Sequence, residues 1–126
     1  MATFGLVEYK DASPEVRAVY DDIMATRKTD SINNFWKALA SNPASLKRAW
    51  EETKRVMGPG ALDEVTKELI YIAVSVTTGC PYCIKVHTAS AGKKGITDAM
   101  LHELMSVVAL ANGNVRLANG YQIDIE

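Results

Sequence analysis

Cysteine and histidine are scarce in this 126-residue chain, which contains two of each. Long apolar runs are also missing, because the longest strongly apolar stretch, residues 69–76, is too short to span a bilayer. The first fifteen residues, MATFGLVEYKDASPE, show neither the basic region nor the long apolar region of a secretory signal. These absences predict a cytoplasmic protein with no membrane partner.

A strong excess of charge of either sign is missing as well. The chain has 14 basic and 15 acidic residues, which give a net charge of -1. No basic stripe interleaved with aromatic residues is present, so we expect no nucleic-acid partner. Apolar residues at 48% and charged residues at 23% are ordinary for a globular protein. The length predicts a single domain over residues 1–126.

Helix starts are marked in the first half of the chain. Ser13-Pro14 and Asn42-Pro43 both combine an N-cap residue with a proline at the first helical position. Apolar side chains then recur at helical spacing, and we interpret the aromatic residues among them as core. Residues 1–12 are predicted to be an extended lead-in. The clearest break in the chain follows at Gly58-Pro59-Gly60.

The second half predicts three more helices. Residues 69–76 are rich in β-branched side chains and could form a buried strand. We favour a helix that begins after Asp63 and ends at Gly79, because capping and length support some 15 continuous residues and no partner strand is apparent. The next helix begins at Cys80-Pro81, and its end at Lys93-Lys94-Gly95 is predicted to be solvated. Thr97 caps a long final helix. The predicted fold class is all-α, with about six helices.

Cys80 and Cys83 carry the clearest chemical signal. At a spacing of three residues they share one face of a helix, near the N-terminal end whose dipole favours thiolate over thiol. Two alternatives remain: a pair of inert buried cysteines, or a zinc site completed by His87 and His102. A thioredoxin-like domain would need a βαβ context that the sequence lacks. The pattern favours a thiol redox enzyme.

His87 and Glu68 are the predicted partners of this pair. His87 lies one turn after Cys83, so both side chains can point to the same side of the helix. If the chain reverses at Gly79 into an antiparallel helix pair, His87 comes level with about Tyr71, one turn from Glu68. The alternatives are a surface or satisfied core histidine and a solvated glutamate at a helix start. His102 is interpreted as solvated.

The pattern E-x11-C-x2-C-x3-H, formed by Glu68, Cys80, Cys83 and His87, resembles that of the AhpD-like alkylhydroperoxidases of the carboxymuconolactone decarboxylase superfamily. The resemblance covers about residues 43–119. It implies an all-α bundle that assembles into homotrimers or homohexamers. It also implies peroxide reduction with Cys83 as the peroxidatic thiol, Cys80 as the resolving thiol, and Glu68 with His87 as a proton relay. The chain departs from the family pattern at Tyr82, where a second histidine is expected.

The predicted function is therefore a thiol-dependent peroxidase with no cofactor and no metal. Its expected partners are a peroxide substrate and an external dithiol reductant. The residues alone leave open which thiol attacks, because Cys80 is nearer the helix N-terminus while Cys83 has the histidine. We favour Cys83, since a neighbouring base can both deprotonate the thiol and protonate the leaving oxygen. A lactone decarboxylase and a non-enzymatic redox-sensing or binding module are the alternatives.

Overall fold

The computed structural model describes residues 3–126. Their regular secondary structure is entirely helical, with no strand. The predicted fold class is thus confirmed. The elements are a short 3-10 helix at Tyr9–Asp11 and six α-helices: α1 (Pro14–Arg27), α2 (Asn34–Leu39), α3 (Pro43–Met57), α4 (Glu64–Thr78), α5 (Pro81–Lys93) and α6 (Asp98–Gly120).

Two compact units divide the chain, Met1–Gly58 and Pro59–Glu126. The boundary lies at the glycine–proline break that the sequence marks. That the two units together form one domain stays a prediction. None of the helices in the described residues is long and apolar enough to cross a membrane.

The first unit begins its helices where the caps predict. Ser13 accepts a hydrogen bond from the Val16 N–H at 3.3 Å, and Asn42 accepts one from the Ser45 N–H at 3.2 Å. These side chains satisfy backbone donors that have no partner inside the helix. The extended lead-in is wrong in one place, because a 3-10 helix forms at Tyr9–Asp11. The first two residues of that predicted lead-in lie outside the described residues.

Three aromatic side chains lie in the core of the first unit, as predicted, whereas Phe35 is 48% exposed. Tyr20, Trp36 and Trp50 are buried, and the two indoles meet edge to face with their ring centroids 5.4 Å apart. The Trp50 Nε1–H donates to Asp22 Oδ2 at 2.7 Å, so its polar atom keeps a partner. This core therefore holds α1, α2 and α3 together.

The second unit is built around the antiparallel pair of α4 and α5. Asp63 caps α4 by accepting from the Thr66 N–H at 2.7 Å, and residues 69–76 are helical as predicted. Gly79 reverses the chain with a φ of 74°, a conformation that glycine adopts at little cost. The Ser75 carbonyl accepts from the N–H groups of both Gly79 and Cys80 at 3.0 Å. This tight turn places the start of α5 directly beside the end of α4.

Helix α6 packs along α4 within the same unit. The Asn112 Nδ2–H₂ donates to Thr77 Oγ1 of α4 and to the Val108 carbonyl, both at 3.0 Å. The helix continues without a break through residues 112–114 to Gly120. The Asn-Gly-Asn segment therefore does not end the helix.

Candidate active site

The reversal at Gly79 brings Glu68 of α4 against His87 of α5. Glu68 Oε2 lies 2.8 Å from His87 Nδ1, and the two residues are only 3% and 9% exposed. The Tyr71 ring stacks on the imidazole with a centroid separation of 3.6 Å. The predictions that His87 lies level with Tyr71 and close to Glu68 are thus confirmed. The catalytic role of the pair stays a prediction.

The second carboxylate oxygen has two further partners. Ser90 Oγ–H donates to Glu68 Oε1 at 3.0 Å, and Lys94 Nζ donates to the same oxygen at 2.9 Å. The prediction that the end of α5 is simply solvated is wrong for Lys94. Sequence reasoning missed both residues, although His87, Ser90 and Lys94 follow one another at spacings of three and four along one helical face.

Glu68 is ionised in this environment. Burial by itself would raise the pKa of the Glu68 carboxyl, but hydrogen bonds and charges from His87 and Lys94 outweigh burial and lower the pKa to about 2. An ionised carboxylate can only accept hydrogen bonds, so His87 Nδ1 must carry the hydrogen in this contact. When the imidazole is neutral, Nε2 is therefore the nitrogen that can accept a proton.

The two cysteines lie at the head of α5 and are joined by a disulfide, with their Cα atoms 5.3 Å apart. Cys80 is the N-cap residue of the helix, and its Sγ accepts from the Cys83 N–H at 3.3 Å. Both residues are partly exposed, and the Tyr82 between them is 42% exposed. A helix N-terminus stabilises negative charge on sulfur, so this position suits cysteines that cycle between thiolate and disulfide.

His102 is exposed on α6, as predicted. Within residues 3–126, no group of three or more His, Cys, Asp or Glu side chains is placed to hold a metal ion. Helices α4 and α5 with their caps carry a carboxylate bonded to an imidazole, an ammonium and a hydroxyl, and a pair of sulfurs at the start of α5.

The lowered pKa of Glu68 predicts an acid-sensitive fold. The ionised carboxylate stabilises the protein fully above its ordinary pKa of 4.5, and this stability is lost as the pH falls towards 2. A shift of that size corresponds to about 3 kcal/mol. Urea unfolding of the wild-type protein and of Glu68→Gln across this pH range would measure it. We expect the difference in unfolding free energy between them to shrink as the pH falls, and a constant difference would contradict the prediction.

The fold and the site make this protein an all-α thiol protein. Its cysteine pair lies at a helix start, and a histidine held by a buried glutamate follows one turn after Cys83. Residues 43–124 match the carboxymuconolactone decarboxylase family. The match covers more than half of the chain, and the protein belongs to this family.

A solved structure, the alkylhydroperoxidase AhpD core from Rhodospirillum rubrum, is similar over the whole chain. It shares 46% sequence identity and superposes with a TM-score of 0.96, covering 100% of this chain and 95% of the other. The protein therefore has the AhpD-like fold.

Curated relatives are more distant or match over shorter segments. An alkyl hydroperoxide reductase AhpD from Anaeromyxobacter sp. is 28% identical over 79% of this chain and 56% of its own length. An uncharacterised protein of the cox locus of Paracoccus denitrificans is 42% identical over 45% of this chain and 51% of its own length. An (R)-2-haloacid dehalogenase from Pseudomonas putida is 27% identical over 83% of this chain and 35% of its own length. The chain thus spans about a third to a half of the lengths of these last two relatives.

Proposed function

We propose that the protein is a thiol-dependent peroxidase that reduces alkyl hydroperoxides or hydrogen peroxide. The observation that carries the proposal is the hydrogen bond from His87 of α5 to Glu68 of α4. His87 lies one turn after Cys83 on the helix that carries the cysteine pair. Kinship with the AhpD core and with AhpD reductases supports it. The cytoplasmic location and the external dithiol reductant stay predictions from the sequence.

The cycle begins with both cysteines reduced. The Cys83 thiolate attacks the O–O bond of the peroxide, which forms an S–O bond and releases an alkoxide or hydroxide. His87 supplies the proton that converts this leaving group into alcohol or water. The Cys80 thiol then attacks the Cys83 sulfenic acid, closing the disulfide and releasing water. An external dithiol reduces the disulfide and becomes a disulfide itself, so two electrons enter and two leave.

Glu68 prepares His87 to transfer protons in this cycle. Its anionic oxygen fixes the Nδ1–H tautomer, so that Nε2 is the atom that exchanges protons. The same anion stabilises the imidazolium that forms when His87 takes the proton of the thiol. A thiolate beside an imidazolium is the reactive form that attack on a peroxide needs.

Steady-state consumption of cumene hydroperoxide with dithiothreitol as the reductant tests the proposal. We expect consumption that depends on the protein and is absent in the Cys80→Ser/Cys83→Ser double variant. Addition of one equivalent of peroxide to the reduced protein should produce one disulfide, measured by mass spectrometry. A reduced, folded protein that leaves the peroxide intact would refute a peroxidase. The same preparation assayed with a carboxymuconolactone would reveal a decarboxylase.

Assembly into a homotrimer or homohexamer belongs to the same proposal. An apolar groove of about 310 Å³ lies between α4 and α6, and several side chains along it are strongly exposed, including Val74 at 56% and Val107 at 59%. A second copy of the chain would remove this surface from water. We expect sedimentation equilibrium at micromolar concentration to give a trimer or hexamer, which Val74→Lys should dissociate. A stable wild-type monomer would contradict this expectation.

A further inference from the structure

Both carboxylate oxygens of Glu68 accept hydrogen bonds, and only one of them faces His87. Oε1 accepts from Ser90 Oγ at 3.0 Å and from Lys94 Nζ at 2.9 Å, while Oε2 meets His87. The Glu68 side chain is 4% exposed and the Lys94 side chain 29% exposed. The ammonium therefore reaches a buried anion from the edge of the site.

We propose that Lys94 is a positioning residue of the peroxidase site, which holds the Glu68 carboxylate in the orientation that accepts the His87 Nδ1 hydrogen. The inference rests on the proposed function for the reaction that it serves. Its structural part, an ion pair that orients a carboxylate and thereby an imidazole, stands on the contacts themselves.

Charge balance explains why a lysine is needed here. His87 gains and loses a proton during each turnover, so it is a cation for only part of the cycle. With the imidazole neutral, Glu68 would be a buried anion without a counter-charge, which is costly. The Lys94 ammonium supplies the missing positive charge in that half of the cycle. Glu68 then stays an anion throughout, and the proton passes through His87 without reaching the glutamate.

Other charged side chains line the same cavity as Lys94. Lys94 lines a cavity of about 650 Å³ together with Asp63 and Glu64 at the start of α4, and α6 adds the uncharged Met100 to its wall. From α5, the charged or titratable groups in contact with Glu68 are His87 and Lys94. Tyr71 of α4 stacks on His87. Lys94 is thus the lysine whose charge is paired with Glu68.

The neighbouring Lys93 offers a matched control. It is exposed at the last position of α5 and carries the same charge. We compare Lys94→Met, Lys94→Arg and Lys93→Met, with Lys94→Gln as a second variant should the methionine protein fold poorly. Circular dichroism checks the fold of each variant.

Carbon-13 NMR of the Glu68 carboxyl, identified by its loss in Glu68→Gln, measures the ion pair. Without the Lys94 charge, protonation of Glu68 should occur at a pH higher by about one unit or more. Nitrogen-15 NMR of His87 measures the orientation. We expect the Nδ1–H tautomer in the wild-type protein and in Lys93→Met, and a mixture of tautomers in Lys94→Met. Lys94→Arg should return the Glu68 titration and the His87 tautomer most of the way to those of the wild-type protein.

The peroxidase rate supplies the third measurement. We expect Lys94→Met to be roughly tenfold slower at neutral pH, with the acid limb of its pH–rate profile moved to higher pH, and Lys93→Met to match the wild-type enzyme. If the carboxyl titration and the tautomer of Lys94→Met both match those of the wild-type protein, the positioning role is wrong. A wild-type protein without peroxidase activity would instead refute the proposed function, and the two NMR measurements would still decide the role of Lys94.

Discussion

Cys83→Ser is expected to abolish reaction with peroxide, whereas Cys80→Ser should still consume one equivalent and accumulate a sulfenic acid. Cys83 lies one turn before His87 on α5, so the attacking thiolate would have its base beside it. Cys80→Ser removes the thiol that closes the disulfide, and the reaction then stops at the oxidised Cys83. Stopped-flow consumption of hydrogen peroxide and trapping with dimedone followed by mass spectrometry measure both outcomes.

The opposite assignment also has a structural argument. Cys80 is the N-cap residue, and its sulfur accepts the Cys83 N–H at 3.3 Å, a contact that favours negative charge on Cys80. Dimedone trapped at Cys80 in Cys83→Ser would therefore reverse the roles of the two thiols. The chain contains no other cysteine, so a trapped sulfenic acid identifies its residue without ambiguity.

Glu68→Gln is expected to lower the peroxidase rate by roughly ten- to a thousandfold at neutral pH, the scale of lost acid–base assistance. Without the anion, the imidazolium beside a Cys83 thiolate is less stabilised, so the thiolate forms at higher pH. The pH–rate profile should therefore move to higher pH, and part of the lost rate should return there. Initial rates measured between pH 5 and 10 test this expectation.

The amide cannot replace the carboxylate at this position. The two oxygens of Glu68 accept from His87 on one side and from Ser90 and Lys94 on the other. A glutamine has a single acceptor oxygen, so its NH₂ group must face one of these sides. Turned towards His87, it forces the other tautomer; turned towards Lys94, it leaves the ammonium without its counter-charge. We expect Glu68→Gln to lower the free energy of unfolding at neutral pH by up to about 3 kcal/mol.

Glu51→Gln is the matched control for this substitution. Glu51 lies on α3 in the first unit and is exposed, so removing its charge should leave the rate and the pH–rate profile unchanged. An unchanged rate in Glu68→Gln would remove Glu68 from the site, and the Cys83–His87 pair would then have to activate the thiol alone.

Much of the fold could be predicted from the sequence because its signals are local. The caps at Ser13, Asn42, Asp63 and Thr97 begin helices where expected, since each satisfies backbone N–H groups within the next three residues. Gly79 ends α4 for an equally local reason, its positive φ. Local preferences failed at residues 112–114. Asparagine and glycine disfavour the interior of a helix, yet this Asn-Gly-Asn segment continues α6, and Asn112 donates to Thr77 of α4.

The candidate site was partly predictable for a related reason. Spacing along α5 puts the cysteines and His87 on one side, and the reversal at Gly79 brings Glu68 within reach of His87. These steps need helix geometry and one turn only. The sequence by itself thus determined the helices and the four residues of the pattern.

The tertiary structure alone decided the surroundings of the carboxylate. Lys93 and Lys94 are adjacent and carry the same charge, yet only Lys94 bonds to Glu68 among the contacts described. Successive side chains on a helix differ in direction by about 100°, because the helix has 3.6 residues per turn. Which lysine faces α4 therefore depends on how α5 is rotated against its neighbour. Packing between the helices sets that rotation. The spacing of His87, Ser90 and Lys94 puts the three on a common face, but only the packing turns this face towards α4.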